Sequence, residues 1–263
     1  MSPTSHAAPD ARSGGQRQHL VLVDYATAFH GASPDQPERL RARMARLVVS
    51  SLARAERGDN VMVRLYGGWM RDGAATSLAS KVAGSVRSDA LFPMARRHGA
   101  DRIYGSVELA LDLLARPGFV LDQTLRSRPG LQRVKYHPEL DRNLCSSAEQ
   151  CPARTIKRYA NNQRRSCSVD SCGAVGWSMF SSQEQKMVDS MLVCDLLFAA
   201  SRNERFPSIS IVSTDTDFVP GLLQASLIGT STLAIVHPQT APASSEWKSL
   251  EREGVHFSEV SVA

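Results

Sequence analysis

The chain alternates short apolar runs with longer amphipathic ones, which is the pattern of an α/β protein. His19–Val23 is almost wholly apolar, and this favours a strand buried on both faces of a parallel sheet. Apolar residues then recur at helical spacing over Glu38–Arg57, and Asn60–Tyr66 is a second apolar run. The order of strand, helix and strand predicts a βαβ unit with a right-handed crossover.

The alternation continues on either side of a long polar segment. Apolar periodicity disappears between about residues 139 and 176, so we interpret residues 118–180 as an insertion. At its start, Phe119–Leu125 and Leu131–Tyr136 are predicted as two strands of a hairpin or sheet extension. The other predicted helices are Ala74–Val86, Ser106–Ala115, Glu184–Ala200, Leu222–Ile228 and Trp247–Glu253, and the other predicted strands are Ile209–Val212, Thr232–Val236 and Val255–Phe257.

Composition narrows the class of protein. Residues 1–18 are rich in Ser, Ala, Gly and Pro and lack an apolar signal core, so we expect a disordered tail before a domain over 19–263, and a cytoplasmic protein. No run approaches the roughly 18 apolar residues of a membrane span, so no membrane contact is expected. The 31 basic and 26 acidic residues give a net charge of +5, a mild indication of a polyanionic partner. Five cysteines, an odd number, argue against a disulfide framework.

Five aspartates stand where a ligand site is expected. Asp24 and Asp215 each follow a predicted strand, and the carboxyl ends of parallel strands share the edge at which α/β proteins bind ligands. Asp217 follows closely, while Asp189 and Asp195 lie on the helix predicted from Glu184. Carboxylate oxygens suit magnesium or manganese, which activate water for phosphodiester hydrolysis. Asp189 and Asp195 are about 120° apart around a helix axis, so the direct role falls to Asp189 and a flanking one to Asp195.

Three blocks of this sequence resemble the NYN domains of the PIN-like ribonuclease superfamily. The first is Leu20–Asp24, a strand with its terminal aspartate. Glu184–Asp195 is similar to that family's Glu-x-Lys-x-x-Asp-x-x-Leu-x-x-Asp helix, and Ser213–Pro220 to its Ser-Gly-Asp-Ser-Asp-Phe block. With the strands between them, the blocks cover residues 19–66 and 181–237, in the family's order.

The resemblance implies a Rossmann-like three-layer α/β/α, PIN-like domain with a mostly parallel sheet, interrupted here by a cysteine-containing basic insertion. It also implies a divalent-metal-dependent endoribonuclease that hydrolyses RNA phosphodiester bonds. By position, the catalytic residues would be Asp24, Asp189 and Asp215, and the same three would bind the metal together with Asp195 and Asp217.

Two further positions concern the nucleic acid. Lys186 aligns with the family's lysine and would contact a phosphate as a point charge. The family usually has an asparagine three residues after the first aspartate, and this chain has Thr27 there, which offers a hydroxyl but no amide. The departure motivates an alternative, a catalytically inactive PIN-like module that binds nucleic acid or a partner protein.

Other interpretations of the acidic block remain. An aspartate before a helix commonly caps it, and Asp217 is the better candidate for that role. Asp215 and Asp217 after a strand also fit a haloacid dehalogenase-type phosphatase, although that family carries its motif on the first strand and this chain carries it late.

The insertion holds two sets of candidate ligands. Its cysteines form pairs with five and four residues between partners, and only the second spacing is usual for structural zinc. A zinc site is predicted, with reduced cysteines in a mobile loop as the alternative, at Cys145, Cys151, Cys167 and Cys172. Basic residues predicted to grip RNA, or else to line a solvated loop, are Lys157, Arg158, Arg164 and Arg165, with Arg126 and Arg128 upstream. DNA instead of RNA, and a homo-oligomer, stay open.

Overall fold

The computed structural model describes residues 17–29, 35–53, 60–87, 92–98, 101–129, 156, 161–162, 164–168, 171–175, 181–229, 231–237 and 250–259. The strands in chain order are β1 (Gln18–Asp24), β2 (Asn60–Tyr66), β3 (Met70–Arg71), β4 (Ala74–Ala75), β5 (Met94–His98), β6 (Asp101–Leu109), β7 (Leu125–Pro129), β8 (Ser181–Gln185), β9 (Ser208–Val212), β10 (Thr232–His237) and β11 (His256–Glu259). The helices used below are α1 (Tyr25–Ala28), α2 (Pro37–Leu52), α3 (Ser77–Arg87), α4 (Val188–Ala200) and α5 (Val219–Ile228).

A seven-stranded sheet with the order β11-β10-β9-β1-β2-β6-β5 forms the centre of the fold. Its strands are parallel except for β5, which runs antiparallel to β6 at one edge. The prediction of an α/β class with a mostly parallel sheet is therefore confirmed. Because β1 lies between β2 and β9, the carboxyl ends of these three strands lie side by side.

Helices cover both faces of the sheet, and the side-chain alternation of β1 shows the division. Val21 and Val23 pack in a core with α2 and α3, whereas Leu20 and Leu22 pack in a second core with α4 and α5. Successive residues of a strand point to opposite faces, so a strand buried on both sides must be apolar throughout. This burial accounts for the unbroken apolar run that precedes Asp24.

The predicted helix over Ser106–Ala115 is wrong, because most of its first half belongs to β6. Ile103 and Val107 are buried, whereas Tyr104 and Ser106 between them are exposed, which is the two-residue period of a strand. The apolar residues that follow β6 continue into turns rather than into a helix. The apolar residues at the end of β6 and in the turn after it happen to have the spacing of a helix face.

The junctions of the insertion also differ from the prediction. Within Phe119–Leu125 only Leu125 belongs to a strand, and the partner predicted over 131–136 lies outside the described residues. Instead, β7 pairs antiparallel with β8 from the far side of the insertion. As a result the helix predicted from Glu184 begins at Val188, as α4.

Most remaining elements keep their type with shifted ends, while the helix predicted over Trp247–Glu253 lies partly outside the described residues, and its residues 250–252 are helical. Ala74 and Ala75 form β4, so the helix predicted from there begins at Ser77. Of the tail predicted over 1–18, residues 1–16 lie outside the described part of the chain, and Gln18 already belongs to β1. Among the helices described, none has the length and apolar character needed to cross a membrane.

Two glycines test the packing of helices on the sheet. A Cβ at Gly105 of β6 would overlap the Val48 side chain of α2, so we expect Gly105→Ala to lower the free energy of unfolding by about 1–3 kcal/mol. A Cβ at Gly84 of α3 would meet nothing within 4 Å, so Gly84→Ala is expected to raise it by up to about 1 kcal/mol. Urea denaturation measures both changes, and shifts in the same direction would contradict this packing.

Candidate functional site

The ends of β1 and β9 are joined by one buried hydroxyl. The parallel register pairs Val23 with Val212, so the next residues, Asp24 and Ser213, lie side by side. The Ser213 hydroxyl donates to Asp24 Oδ2 at 3.2 Å and accepts from the Asp215 backbone N–H at 3.1 Å. Ser213 is fully buried, so it fixes the spacing of the two predicted aspartates at this edge.

Asp24 is held from a second direction by α1, which starts immediately after it. Its Oδ1 accepts from the backbone N–H groups of Ala26 at 3.1 Å and Thr27 at 3.5 Å, the pattern of a helix N-cap. The Thr27 hydroxyl donates a short hydrogen bond to Asp24 Oδ2. Thr27 is predicted as a nucleic-acid contact, but the proton of its hydroxyl is donated to Asp24.

Asp215 and Asp217 lie around a 3₁₀ turn over Thr216–Phe218. Asp215 Oδ1 accepts from the Asp217 N–H at 2.9 Å, so Asp215 caps this turn and Asp217 lies within it. The capping role expected of Asp217 thus belongs to Asp215. Both side chains are exposed, so their remaining oxygens are accessible to a ligand.

Asp189 reaches the same group of carboxylates from α4. It lies in the first turn of that helix, after Met187, whose φ of 62° is left-handed and turns the chain from β8 into α4. Partial burial raises the pKa of Asp189 above its ordinary value, and the charges of Asp24, Asp215 and Asp217 raise it further. The charges of the other three carboxylates thus all act on Asp189, and we call these four carboxylates the acidic edge.

The acidic edge fits a hard divalent cation in its chemistry and only partly in its geometry. It offers carboxylate oxygens, and a cation would relieve the repulsion that raises the pKa of Asp189. However, no three His, Cys, Asp or Glu side chains among the described residues are grouped closely enough to hold one ion. Asp24 and Asp215 are fixed by hydrogen bonds, so Asp189 is the member whose side chain would have to turn.

Asp195, predicted as a flanking metal ligand, belongs to a different group of residues. It is fully buried, and its Oδ2 accepts from the Tyr66 hydroxyl at 2.6 Å while its Oδ1 accepts from the Leu114 N–H at 2.8 Å. Arg64 Nε lies 3.2 Å from Oδ2, an ion pair without hydrogen-bond alignment. Because both oxygens are engaged by protein groups, we leave Asp195 out of the proposed ligand set.

Arg64 extends this buried group into a network that joins several elements. Its Nη1 lies 2.5 Å from Glu108 Oε1, and its Nη2 lies 2.8 Å from Asp112 Oδ1. The network therefore connects β2, β6, the turn after β6 and α4. Burial raises the pKa of Asp195, and the Tyr66 hydrogen bond and the Arg64 charge oppose the rise because they favour the carboxylate.

The other predicted residues are only partly described. Lys186 lies between β8 and α4, with Nζ 2.7 Å from Glu184 Oε1, and Arg164 and Arg165 are exposed. Cys167 is half-buried, Cys172 is exposed, and neither forms a disulfide in the described part of the chain. The zinc site stays a prediction, because Cys145 and Cys151 lie outside the described residues. Lys157 and Arg158, predicted to contact RNA, also lie outside them.

Sequence reasoning missed two residues of this region. Ser213 opens the block that resembles the NYN motif, and its place directly after a buried strand was the available signal. Arg71 precedes Asp72-Gly73, a pair typical of tight hairpin turns, and this pair predicts the β3–β4 hairpin in hindsight. Arg71 lines a cleft of about 570 Å³ together with Arg126 and Lys186.

Comparison of the chain with protein-family models, with curated proteins and with solved structures finds no match. The assignment of roles at the acidic edge therefore rests on the residues and their geometry.

The buried network can be tested through Asp195. Asp195→Asn removes the charge opposite Arg64 and turns one acceptor into a donor facing Tyr66 or Leu114, so we expect the free energy of unfolding to fall by about 3–5 kcal/mol. Chemical denaturation gives the value, and Glu253→Gln, at an exposed turn position, is the control. A loss below about 0.5 kcal/mol, usual for surface substitutions, would contradict the network.

The acidic edge can be tested through the pH dependence of stability. The folded state raises the pKa of Asp189, so ionising this group costs stability, and that stability is lost as pH rises from the ordinary value of 3.8 through the raised pKa. Asp189→Asn removes the cost and is expected to raise the melting temperature at about pH 7 but not at about pH 3. An equal shift at both pH values would mean that Asp189 ionises without repulsion.

Proposed function

We propose that this protein is a divalent-metal-dependent endoribonuclease of the NYN type. The observation that carries the proposal is the convergence of the acidic edge: the Ser213 hydroxyl couples Asp24 to Asp215, and Asp189 lies within their electrostatic reach. A parallel sheet with β1 between β2 and β9, covered by helices on both faces, supports the PIN-like architecture that the sequence blocks suggest.

In this proposal Asp24, Asp189 and Asp215 hold magnesium or manganese, with Asp217 at the rim. The ion, when bound, polarises a phosphoryl oxygen and lowers the pKa of a bound water. Asp24 and Asp215 are already oriented by N–H and hydroxyl donors, which limits the rearrangement that binding requires. Because no three candidate ligands are grouped among the described residues, metal binding would require Asp189 to reorient.

The side chains divide the remaining work. Asp189 is the carboxylate that would gain most from the cation, because burial and the charges of the other aspartates raise its pKa when no ion balances them. Ser213 and Thr27 are positioning residues that keep the Asp24 carboxylate in one orientation. Lys186 precedes α4 on the side of the cleft, where its ammonium can contact a phosphate next to the scissile one.

A nuclease assay tests the proposal. Labelled single-stranded RNA is incubated with the protein in Mn²⁺ or Mg²⁺, and cleavage is expected to stop when a chelator is added. Asp24→Asn and Asp215→Asn should each lower the rate at least about 100-fold, since each removes several kcal/mol of charge stabilisation in the transition state. Glu253→Gln, a change at an exposed acid on a turn before β11, is the matched control and should cleave normally.

Metal binding has a readout that does not depend on cleavage. Mn²⁺ is expected to raise the melting temperature of the wild-type protein and of Glu253→Gln but not of Asp24→Asn, because a ligand stabilises only the state that binds it. Cleavage that persists in the aspartate variants, or that ignores the chelator, would refute the proposal.

A second candidate function is a PIN-like module that binds nucleic acid or a partner protein without cleaving. It is favoured by the absence of three grouped metal ligands within the described residues and by Thr27 at the position of the family's asparagine. Tight RNA binding with no turnover in either metal ion, and no thermal shift on adding Mn²⁺, is the result expected of such a module.

A further inference from the structure

A cleft of about 570 Å³ lies between the β3–β4 hairpin and the two-stranded antiparallel ribbon of β7 and β8. We call it the hairpin cleft, and its lining includes Arg71 from β3, Arg126 from β7, and Lys186 and Met187 from the segment between β8 and α4. A volume of this size is usual for a site that holds a small-molecule unit, roughly 300–1,000 Å³. A volume of this size can hold a nucleotide unit of one strand.

Thr124 holds the parts of the hairpin cleft together. Its hydroxyl accepts from the Met70 N–H at 2.8 Å, beside Arg71, and its carbonyl accepts from the Lys186 N–H at 3.0 Å. Thr124 is fully buried and stands two residues before Arg126. Thr124 therefore sets the relative positions of Arg71, Arg126 and Lys186, which come from three separate segments. The cleft is arranged in this way before any ligand binds.

Further contacts fix the β3–β4 hairpin to the segment that leads into β7. The Gln123 side chain donates to Asp72 Oδ1 at 2.9 Å, and the Gly73 N–H donates to the Asp122 carbonyl at 3.3 Å. Gly68 permits the close approach, because a Cβ there would lie 2.9 Å from Leu125 Cδ1. The hairpin cleft is therefore a built feature of the fold rather than a gap between loose turns.

Positive charge dominates the hairpin cleft and its border. Arg71, Arg126 and Lys186 line it and Arg128 adjoins it, against the carboxylates of Asp72 and Glu184. Asp72 is engaged by Gln123, and Glu184 is shared by Lys186 and Arg128 at 2.7 Å and 2.5 Å. Within the described residues, Arg71 and Arg126 form no ion pair with a carboxylate, so both guanidinium groups are available to an anion.

The electrostatics of Glu184 support this description. Its pKa is lowered first by the hydrogen bond from Lys186 and then by the charges of Arg128, Lys186 and Arg126. Arg126, the cross-strand partner of Glu184, is one of the three cations whose charges lower this pKa. Because Glu184 pairs with Lys186 and Arg128, an anionic ligand in the hairpin cleft would meet mainly the charges of Arg71 and Arg126.

The hairpin cleft is next to the acidic edge along the chain. Met187 lines the cleft, and Asp189, two residues later, belongs to the acidic edge. From these observations we infer that the hairpin cleft binds the phosphates of a single-stranded nucleic acid and directs the strand towards the acidic edge. This inference rests on the proposed function, adds Arg71 to it as a substrate-binding residue and gives Arg126, predicted from sequence to bind RNA, a defined place in the cleft.

Phosphate contacts, rather than base contacts, would supply the affinity. None of the residues lining the hairpin cleft in the described part of the chain is aromatic, so base stacking has no platform there. Arginine guanidinium groups pair with phosphate oxygens through two hydrogen bonds. Because phosphates are common to RNA and DNA, the cleft should contribute equally to binding both.

Binding without cleavage is the direct test. Fluorescence anisotropy in the presence of chelator gives the affinity for labelled oligouridylate and oligothymidylate of about twelve nucleotides, within the usual site sizes. The double variant Arg71→Ala and Arg126→Ala is expected to bind both about 100-fold more weakly at low salt, about tenfold for each arginine. Its plot of log affinity against log salt should be shallower by about 1.4, since each phosphate contact to a single strand contributes about 0.7.

Two matched variants make the result specific. Arg87→Ala with Arg252→Ala removes the same charge from exposed positions outside the hairpin cleft and should change the affinity less than about threefold. Arg71→Lys with Arg126→Lys keeps the charge and should retain part of the affinity but lose the two-bond geometry. Equal thermal melting of all variants checks that each is folded.

Three outcomes would overturn the inference. The cleft double variant could lose no more affinity than its control, its salt dependence could equal that of the wild type, or polyglutamate could displace the wild-type protein from oligouridylate as well as unlabelled RNA does. The last result would indicate an acidic protein as the ligand.

If RNA binds through the cleft but is not cleaved, the ribonuclease proposal fails and this inference stands. If RNA is cleaved and the double variant behaves like its control, the reverse holds.

Discussion

The parallel register between β1 and β9 is the constraint on which the candidate site depends. It sets Asp24 beside Ser213, whose hydroxyl joins the Asp24 carboxylate to the backbone of Asp215. Two acidic strand ends are thereby held together, and the first turn of α4 adds Asp189 to them. Burial and the charges of these aspartates raise the pKa of Asp189, a cost that a cation or a proton would relieve.

The same helix uses its other aspartate in the opposite way. Asp189 stays at the surface with raised pKa, whereas Asp195, on the inner face, is paired with Arg64 and hydrogen-bonded by Tyr66. Buried charge of this kind gives little net stability but strongly penalises any packing that leaves it unpaired. It therefore fixes how α4 sits on β2 and on the turn after β6, and that in turn fixes the direction from which Asp189 reaches the acidic edge.

Much of this could be read from the sequence because burial on two faces leaves a clear signal. The apolar runs ending at Asp24 and before Asp215 predicted both strands and their shared edge, and the helical phase separated Asp189 from Asp195. The partners of Asp195 could not be predicted, since Arg64 lies on a strand far away in the chain. The helix predicted over Ser106–Ala115 was wrong for a related reason. Its first residues form a strand because they pair with β2, a segment far away in the chain, and local spacing gives no sign of that pairing. The hairpin cleft was also hidden, since β7 pairs with β8 across the whole insertion.

The central claim is that Asp24, Asp189 and Asp215 form one cation site at the edge shared by β1, β9 and α4. A crystal structure of the protein grown with Mn²⁺, with the ion located by its anomalous scattering, tests it most directly. The account predicts an anomalous peak within about 2.0–2.3 Å of oxygens from these three carboxylates, with Asp189 reoriented and Asp195 still paired with Arg64. A structure with no peak at this edge, and with the three carboxylates too far apart to share an ion, would contradict it.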